Sequence, residues 1–338
     1  MSVIVEIRDL VKCFGELTAV DHVTFEIERG EIFGLLGPNG AGKTTTISMI
    51  SCLLAPDEGD VIVAGHSVRT HSIEVRRALG IVPQEIALYP TLTAAENLKF
   101  WGRMYGLSGR ELDEAVDYGL EMAGLADKAR VRVETFSGGM KRRINIAAGV
   151  LHRPQVLLMD EPTVGIDPQS RNHILETVRE LNRDGMTVVY TSHYMEEVET
   201  LCDRIAIVDH GRVIADGTLD ELRALVGDED HIRISLGDAS PEGSAEAAEG
   251  DADTGVAEET ETPPEMLAIL EGIRQVPGVT RADAVGSALE VLAGDAAAVL
   301  GGVVESIAAA GAHLRAIEVV EPDLESVFLH LTGRGLRD

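Results

Sequence analysis

The sequence predicts an α/β protein in which a large mixed domain is followed by a smaller α+β domain. Short apolar runs rich in β-branched residues alternate with longer amphipathic stretches as far as about residue 227, which is typical of an α/β domain. The runs expected to form buried strands are residues 32–36, 156–159, 187–191 and 205–208. The 338 residues suffice for about two domains, and no apolar run approaches the roughly 18 residues that a membrane span needs.

The sequence of the first domain also predicts a β layer and a helical subdomain besides this core. Three early segments with charged outer faces, residues 3–7, 23–27 and 61–63, are expected to form a small antiparallel β layer. Helix signals dominate further on, where Thr93 followed by Glu96 has the spacing of a capping box. We therefore expect a helical subdomain, at about residues 86–150, inserted into the α/β core.

The remainder of the chain predicts a separate accessory domain. We place the first domain at residues 1–227 and the C-terminal α+β domain at residues 228–338. Its expected elements are strands at 231–236, 289–292 and 316–320 and helices at 266–275 and 296–310. Residues 237–264 consist almost entirely of Ala, Gly, Glu, Asp, Ser, Thr and Pro, so we expect an acidic, disordered segment there.

Charge is distributed unevenly along the chain. Asp and Glu number 57 against 29 Lys and Arg, and the residues from Asp228 onward contain 23 acidic and 6 basic side chains. Such a negative surface lacks the cationic patch that nucleic-acid binding needs, so we expect no nucleic-acid partner. The composition fits either a high-salt cytoplasm or a GC-rich genome, and the N-terminus has no signal-peptide pattern, which predicts a cytoplasmic protein.

A glycine-rich loop directly follows the predicted strand at 32–36 and precedes a helix expected to begin near Lys43. The residues that satisfy the phosphate-loop pattern are Gly37, Pro38, Asn39, Gly40, Ala41, Gly42, Lys43, Thr44 and Thr45. Its glycines allow backbone N–H groups to converge on a β-phosphate. Lys43 is placed to reach the β- and γ-phosphates, and the Thr44 hydroxyl is placed to bind Mg²⁺.

The predicted strand at 156–159 ends in two carboxylates, Asp160 and Glu161, which is the Walker B arrangement. Asp160 is expected to hold Mg²⁺ through water, and Glu161 to orient and deprotonate the attacking water. Two adjacent acids at a strand end also occur as a solvated edge. The phosphate loop in the same chain favours nucleotide hydrolysis instead.

With these two motifs the sequence resembles the nucleotide-binding domain of ABC transporters. The segment at 136–140 is similar to the family's signature loop, with Phe136 where Leu is typical and Met140 where Gln is typical. The resemblance implies that Ser137, Gly138 and Gly139 of one copy contact ATP held by Lys43 and Thr44 of another. The working unit would then be a head-to-tail pair with a second copy or a paralogue.

Four further residues match the family's motifs in the expected order. The resemblance implies that Gln84 is the Q-loop residue, with a catalytic and a Mg²⁺-binding role, and that His193 is the switch histidine at the γ-phosphate. It implies that Asp167 belongs to the D-loop and that Phe14 stacks on adenine. Taken singly, a structural histidine, a surface amide and a core aromatic would explain His193, Gln84 and Phe14.

The C-terminal stretch at 321–333 resembles the end of ATPase subunits of ABC-2 type exporters, including the daunorubicin-resistance type. A terminal helix that packs Leu324, Val327, Phe328 and Leu331 on a core is compatible with the same pattern. The resemblance implies an ATPase subunit that couples ATP hydrolysis to export through a separate integral-membrane permease. Such a subunit is peripheral on the inner face of the membrane and uses ATP and Mg²⁺.

Two other function classes fit the sequence less well. A soluble ABC protein that acts on nucleic acid or ribosomes usually has two ATPase domains or long coiled coils, whereas this chain has one phosphate loop, no sustained heptads and a strongly negative charge. A nucleotide-binding regulator that does not hydrolyse ATP would not need both Glu161 and His193. The transported substrate is not encoded in a recognisable pattern.

Overall fold

The computed structural model describes residues 2–226, 230–237, 264–285, 288–320 and 323–333. These residues form two compact units. The first contains the chain up to Leu222 and the C-terminal stretch from Leu324, and the second is Arg223–Asp323. The sequence places the C-terminal stretch in the accessory domain, whereas the stretch from Leu324 belongs to the first unit, and its apolar residues Leu324, Val327 and Phe328 are buried.

The first unit contains two sheets. Its strands are β1 (Val3–Phe14), β2 (Leu17–Glu28), β3 (Ile32–Leu36), β4 (Glu58–Val63), β5 (His66–Ser67), β6 (Leu79–Val82), β7 (Val156–Asp160), β8 (Thr187–Ser192), β9 (Arg204–Asp209) and β10 (Arg212–Gly217). The smaller sheet has the order β2-β1-β4-β5 and is antiparallel, which confirms the predicted β layer. Both β1 and β2 are longer than predicted, because their pairing continues through several irregularities.

The larger sheet has the order β10-β9-β3-β8-β7-β6 and is parallel except for the antiparallel edge strand β10. The four predicted core strands are confirmed as β3, β7, β8 and β9. Every residue of β7 and β8 is buried, and alternate residues of β7 belong to two different core clusters. Both faces of the sheet are therefore covered, as a parallel sheet requires.

Helices of the first unit pack on this sheet and also form the helical subdomain. They are α1 (Lys43–Ile50), α2 (Ser72–Ala78), α3 (Ala94–Met104), α4 (Gly109–Met122), α5 (Gly138–Val150), α6 (Pro168–Arg183), α7 (Met195–Leu201) and α8 (Leu219–Ala224), the last of which continues into the second unit. The predicted helical subdomain consists of α3, α4 and α5 packed around their own apolar cluster. The predicted capping box of Thr93 and Glu96 is confirmed at the start of α3.

The second unit is an antiparallel sheet with two helices. Its elements in chain order are β11 (Asp230–Gly237), α9 (Pro264–Arg274), β12 (Val279–Val285), β13 (Ala288–Ala293), α10 (Ala296–Ala309) and β14 (His313–Val320). The strand order β12-β13-β11-β14 with this β-α-β-β-α-β connectivity is the split βαβ arrangement of ferredoxin-like folds. The predicted α+β character is confirmed, and β12 is an additional strand.

The C-terminal helix of the chain, α11 (Leu324–Thr332), belongs to the first unit. Its apolar residues Leu324, Val327 and Phe328 are buried, and the helix packs against α7. The predicted acidic segment lies outside the described residues except at its two ends, Gly237 and Pro264. In the described part of the chain, no helix is both long and apolar enough to cross a membrane.

Candidate functional site

The phosphate loop connects β3 to α1, as predicted. Gly42 is the residue before α1 and has φ 105°, and a Cβ atom there would lie 2.5 Å from the Ala19 carbonyl oxygen. Only glycine fits this position without strain. Lys43 follows at the first position of α1, and its Nζ donates to the carbonyl oxygens of Gly37 at 2.7 Å and Pro38 at 3.1 Å. The loop therefore holds the lysine against its own backbone.

Lys43 is also paired with the second Walker B acid. Its Nζ lies 3.3 Å from Oε1 of Glu161, and both side chains are buried. Burial lowers the pKa of Lys43, and the nearby Glu161 carboxylate opposes that shift. The structure thus brings together the predicted phosphate-binding cation and the predicted general base.

The first Walker B acid, Asp160, ends β7 beside the neighbouring strand β8. Its Oδ1 accepts hydrogen bonds from Thr191 Oγ1 at 2.7 Å and from Thr44 Oγ1 at 3.3 Å. Thr191 Oγ1 in turn accepts the backbone N–H of Glu161 at 2.9 Å. Glu161 has φ 44°, a left-handed conformation that is uncommon for a non-glycine residue and that this hydrogen bond supports.

Gln84 and His193 complete the surroundings of Glu161. The Gln84 Nε2 donates to Oε2 of Glu161 at 3.2 Å. The His193 Nδ1 lies 3.5 Å from Oε1 of the same carboxylate. One buried carboxylate is therefore in contact with three side chains that the sequence assigned to the nucleotide site.

Two residues at this site were not singled out from the sequence. Thr191 links Asp160 and Glu161, and Arg142 of α5 donates to the carbonyl oxygens of Pro83 at 2.7 Å and Gln84 at 2.5 Å. Arg142 is buried, and burial lowers its pKa. The available signal was a charged residue on the side of α5 that is buried and that has no other polar side chain except Asn145.

The signature residues lie at the start of α5. Ser137 caps this helix, and its Oγ accepts the Met140 N–H at 3.2 Å. Gly138 opens the helix, and Gly139 packs so closely on α6 that a Cβ atom would lie 2.0 Å from Ser170 Oγ. Only glycine is compatible with that approach. The N-terminus of α5 is therefore held against the start of α6.

The D-loop residue Asp167 caps α6. Its Oδ1 accepts the Ser170 N–H at 2.9 Å, and this hydrogen bonding lowers the pKa of Asp167. Among the residues that the structure describes, no hydrogen bond or ion pair joins the signature residues at 137–139 to Lys43, Asp160 or Glu161. The predicted site residues thus form two separate groups. The nucleotide cluster contains Lys43, Thr44, Gln84, Asp160, Glu161 and His193, and the signature group contains Ser137, Gly138 and Gly139.

The other predicted nucleotide-binding residues differ in their exposure. Asn39 and Gly40 are exposed at the loop, Ala41 is buried, and Thr45 is partly buried in the first turn of α1. Phe14 ends β1, and half of its surface is exposed. The Lys12 Nζ lies 5.7 Å from the centre of the Phe14 ring. An exposed aromatic face of this kind is available for stacking.

The oxygen atoms of the nucleotide cluster are chemically suited to Mg²⁺. The Thr44 hydroxyl and the Asp160 carboxylate lie 3.3 Å apart, and both are the hard oxygen ligands that Mg²⁺ prefers. Within the described ranges there is no group of three or more His, Cys, Asp or Glu that could hold a metal ion. The few protein oxygens here suit an ion that completes its coordination with phosphates and water.

Known proteins resemble this chain in sequence and in fold. Residues 20–164 match the ABC transporter family. The linearmycin resistance ATP-binding protein LnrL of Bacillus subtilis (strain 168) is 49% identical over 98% of this chain and 99% of its own length. The daunorubicin resistance ATP-binding protein DrrA3 of Streptomyces coeruleorubidus is 38% identical over 95% of this chain and 93% of its own length.

Solved structures agree with the sequence relatives. An ATP-binding subunit of an ABC transporter is 32% identical and superposes with a TM-score of 0.61 over 66% of this chain and 93% of that chain. The dimeric post-hydrolysis state of the ATP-binding cassette MJ0796, bound to ADP and Pi, is 30% identical with a TM-score of 0.59 over 64% of this chain and 98% of that chain. On its fold, its motifs and these relatives, the chain belongs to the family of ABC transporter ATP-binding proteins.

Proposed function

We propose that this ATPase uses Glu161 as its general base and couples ATP hydrolysis to export through a separate integral-membrane permease. The observation that carries the proposal is the position of Glu161. Its buried carboxylate contacts Lys43, Gln84 and His193 at the strand edge where the phosphate loop and the Walker B strand meet. A carboxylate with these neighbours can accept a proton from a water that attacks the γ-phosphate.

The surrounding side chains have distinct roles in this proposal. Lys43 neutralises the β- and γ-phosphates, while the backbone N–H groups of residues 39–45 surround them. Gln84 orients the attacking water, and His193 contacts the γ-phosphate and holds Glu161 in place. Phe14 stacks on the adenine ring. The contacts of Lys43, Gln84 and His193 with Glu161 support their roles, and the exposed ring of Phe14 supports its own.

We assign the Mg²⁺-binding role to Thr44, Gln84 and Asp160. The hydroxyl of Thr44 and the carboxylate of Asp160 are already close together, and Thr191 fixes the carboxylate by donating to it. When bound, the ion neutralises negative charge on the phosphates. The protein's own part is to hold these oxygens in place from two neighbouring strands and a helix N-terminus.

A complete site requires a second copy or a paralogue. Ser137, Gly138 and Gly139 lie at a helix N-terminus that has no hydrogen bond or ion pair to the nucleotide cluster in the described part of the chain. We propose that they bind the γ-phosphate of ATP held by the other subunit, with Asp167 beside them. The similarity to a dimeric ATP-binding cassette supports this arrangement.

The export role is supported by the relatives that span nearly the whole chain. Two of them are named for resistance to linearmycin and daunorubicin, and a third, from Rhizobium sp. (strain N33), is a Nod factor export ATP-binding protein. We infer that this chain is attached, through a permease, to the inner face of the cell membrane. The permease then selects the transported substrate.

Co-expression with a candidate permease, chosen from the neighbouring genes, tests this function. The chain should co-purify with that protein in mild detergent. The ATPase rate of the sample should increase in proportion to the amount of assembled complex. The Glu161→Gln variant should assemble equally well and hydrolyse very little, which provides the matched control. A chain that binds ribosomes or nucleic acid and no membrane protein would contradict the exporter role.

A further inference from the structure

A buried carboxylate outside the nucleotide cluster, Glu197, connects several segments of the first unit. It lies on α7 and is 4% exposed. Its Oε2 accepts hydrogen bonds from Thr163 Oγ1 at 2.7 Å, Tyr190 OH at 2.8 Å and Ser192 Oγ at 3.3 Å. Its Oε1 lies 3.3 Å from Nε of Arg171 on α6. Four segments of the chain therefore meet at one side chain.

Two of these partners adjoin the residues proposed for hydrolysis. Ser192 immediately precedes His193, and its Oγ also accepts the backbone N–H of Tyr194 at 2.8 Å. Thr163 lies two residues after Glu161, in the loop that leads to the D-loop. Glu197 thus holds the backbone beside His193 and the backbone beside Glu161 through the same carboxylate oxygen.

Tyr194, the residue that follows His193, contacts Arg171, which is the ion-pair partner of Glu197. The guanidinium carbon of Arg171 lies 4.9 Å from the centre of the Tyr194 ring, in a cation–π arrangement. His193 is therefore flanked by two residues that both connect to Glu197, Ser192 directly and Tyr194 through Arg171.

A charge buried in this way must be compensated by several donors. Three hydroxyl groups and one guanidinium surround Glu197, and burial together with the Glu197 charge raises the pKa of Tyr190, so that its hydroxyl stays protonated. The hydroxyl donors come from two segments, the loop at Thr163 and strand β8, and Arg171 adds an ion pair from α6. A shift of one segment therefore breaks a charge-assisted hydrogen bond or the ion pair. The arrangement resists separate movement of the loops that bear Glu161 and His193.

We propose that Glu197 is a positioning residue that sets the separation between Glu161 and His193, whose contacting atoms lie 3.5 Å apart. This inference rests on the roles proposed above for those two residues. Loss of the carboxylate releases the Thr163 and Ser192 hydroxyl groups at once. The segments that bear Glu161 and His193 are then no longer hydrogen-bonded to the same side chain. The step affected is hydrolysis, whereas ATP binding at the phosphate loop is unchanged.

The substitution Glu197→Gln tests the proposal, with Glu196→Gln as its matched control. The amide oxygen can replace one carboxylate oxygen, but the amide NH₂ must then face either the hydroxyl donors or Arg171. We expect kcat to fall at least about 10-fold while the Kd for ATP changes by less than about twofold. Glu196 is the neighbouring residue of α7 and is exposed, so its variant should keep the wild-type kcat. Equal kcat values for the two variants would overturn the proposal.

A double-mutant cycle separates positioning from a general effect on the fold. In a His193→Ala background the pair of Glu161 and His193 no longer exists. Glu197→Gln should then lower the single-turnover rate constant of ATP hydrolysis by less than about threefold. The same loss in both backgrounds would show that Glu197 acts independently of His193 and would overturn the proposal. If Glu197→Gln does not fold, Ser192→Ala removes one donor and is tested in the same cycle with the same criterion.

Glu161→Gln distinguishes this inference from the proposed function. If Glu161→Gln keeps near-normal turnover, the base assignment fails and the role of Glu197 fails with it. If Glu161→Gln loses turnover while Glu197→Gln behaves like Glu196→Gln, the proposed function stands and only the positioning role is overturned.

Discussion

Lys43 and Glu161 form a buried ion pair, with Nζ 3.3 Å from Oε1 and only 4% and 7% of the two side chains exposed. The lysine also donates to two carbonyl oxygens of the phosphate loop. The Glu161 carboxylate favours the charged form of the buried Lys43. A change at the proposed base should therefore alter the proton affinity of Lys43.

The first prediction follows from that coupling. Burial lowers the pKa of Lys43 and the Glu161 carboxylate opposes the shift, so Glu161→Gln should lower this pKa further. Only the ammonium form neutralises phosphate, so ATP affinity is present below the Lys43 pKa and is lost as pH rises through it. Equilibrium ATP binding measured from about pH 7 to 10 should show a lower midpoint in Glu161→Gln than in wild type. The exposed Glu176→Gln is the control, and an unchanged or higher midpoint in Glu161→Gln would contradict the coupling.

The second prediction concerns Thr191, whose hydroxyl donates to Asp160 and accepts the N–H of Glu161. Thr191→Val preserves shape but leaves both buried groups without this partner. We expect the free energy of unfolding to fall by about 1–3 kcal/mol and kcat to fall with it, since both Walker B acids lose support. Urea denaturation and steady-state ATPase assays measure the two effects.

Thr177→Val provides the comparison for Thr191. Thr177 is equally buried, but its hydroxyl donates to the His173 carbonyl within α6, away from the nucleotide cluster. Its variant should alter stability without altering kcat. If the two variants change kcat to the same extent, the hydrogen bonds of Thr191 have no specific role in hydrolysis.

Much of the nucleotide site could be predicted because its chemistry is local in sequence. Residues 37–45 are consecutive in the chain, and Asp160 and Glu161 stand together where one strand ends, so spacing alone identifies them. Buried strands such as β3 were predicted with their observed bounds, because a fully buried parallel strand is a continuous apolar run.

Other features depend on contacts between segments that are distant in sequence. Nothing near Arg142 or Glu197 indicates that they bond to the Q-loop backbone or to Thr163, because these partners meet only after the sheet and helices assemble. Strand β12 was missed because Thr280, Arg281 and Asp283 obscure its apolar residues. The predicted tail helix was correct as a helix, but the sequence did not show that it packs on α7.

A third prediction concerns the acidic segment between β11 and α9. Replacing residues 238–263 by a Gly-Ser linker of equal length should leave ATPase activity and Tm nearly unchanged in moderate salt, because the segment has almost no apolar surface to bury. Co-purification of the permease is measured in parallel. Loss of co-purification with intact ATPase activity would assign the segment to complex assembly, and loss of thermal stability would contradict the predicted disorder.

The fourth prediction is functional complementation between two inactive subunits. Lys43→Ala weakens ATP binding, because the phosphates lose their main cationic partner, and Ser137→Arg blocks the signature group. A mixed dimer of the two has one doubly damaged site and one intact site if the signature acts on ATP held by the other subunit. Mixing should therefore restore part of the ATPase activity.

The outcome of this mixing is checked with a binding measurement. Light scattering should show ATP-dependent dimers of Glu161→Gln, with the permease present if it is needed for stable pairing. No recovery in confirmed mixed dimers, together with an ATP-bound Glu161→Gln protein that stays monomeric beside the permease, would contradict a shared site.

The most direct measurement is the steady-state ATPase rate of Glu161→Gln beside its affinity for ATP at neutral pH. Glu161 is the carboxylate in contact with Lys43, Gln84 and His193, so its loss should lower turnover at least ~10²-fold while ATP binding is retained. Near-normal turnover in this variant would contradict the assignment of Glu161 as the general base.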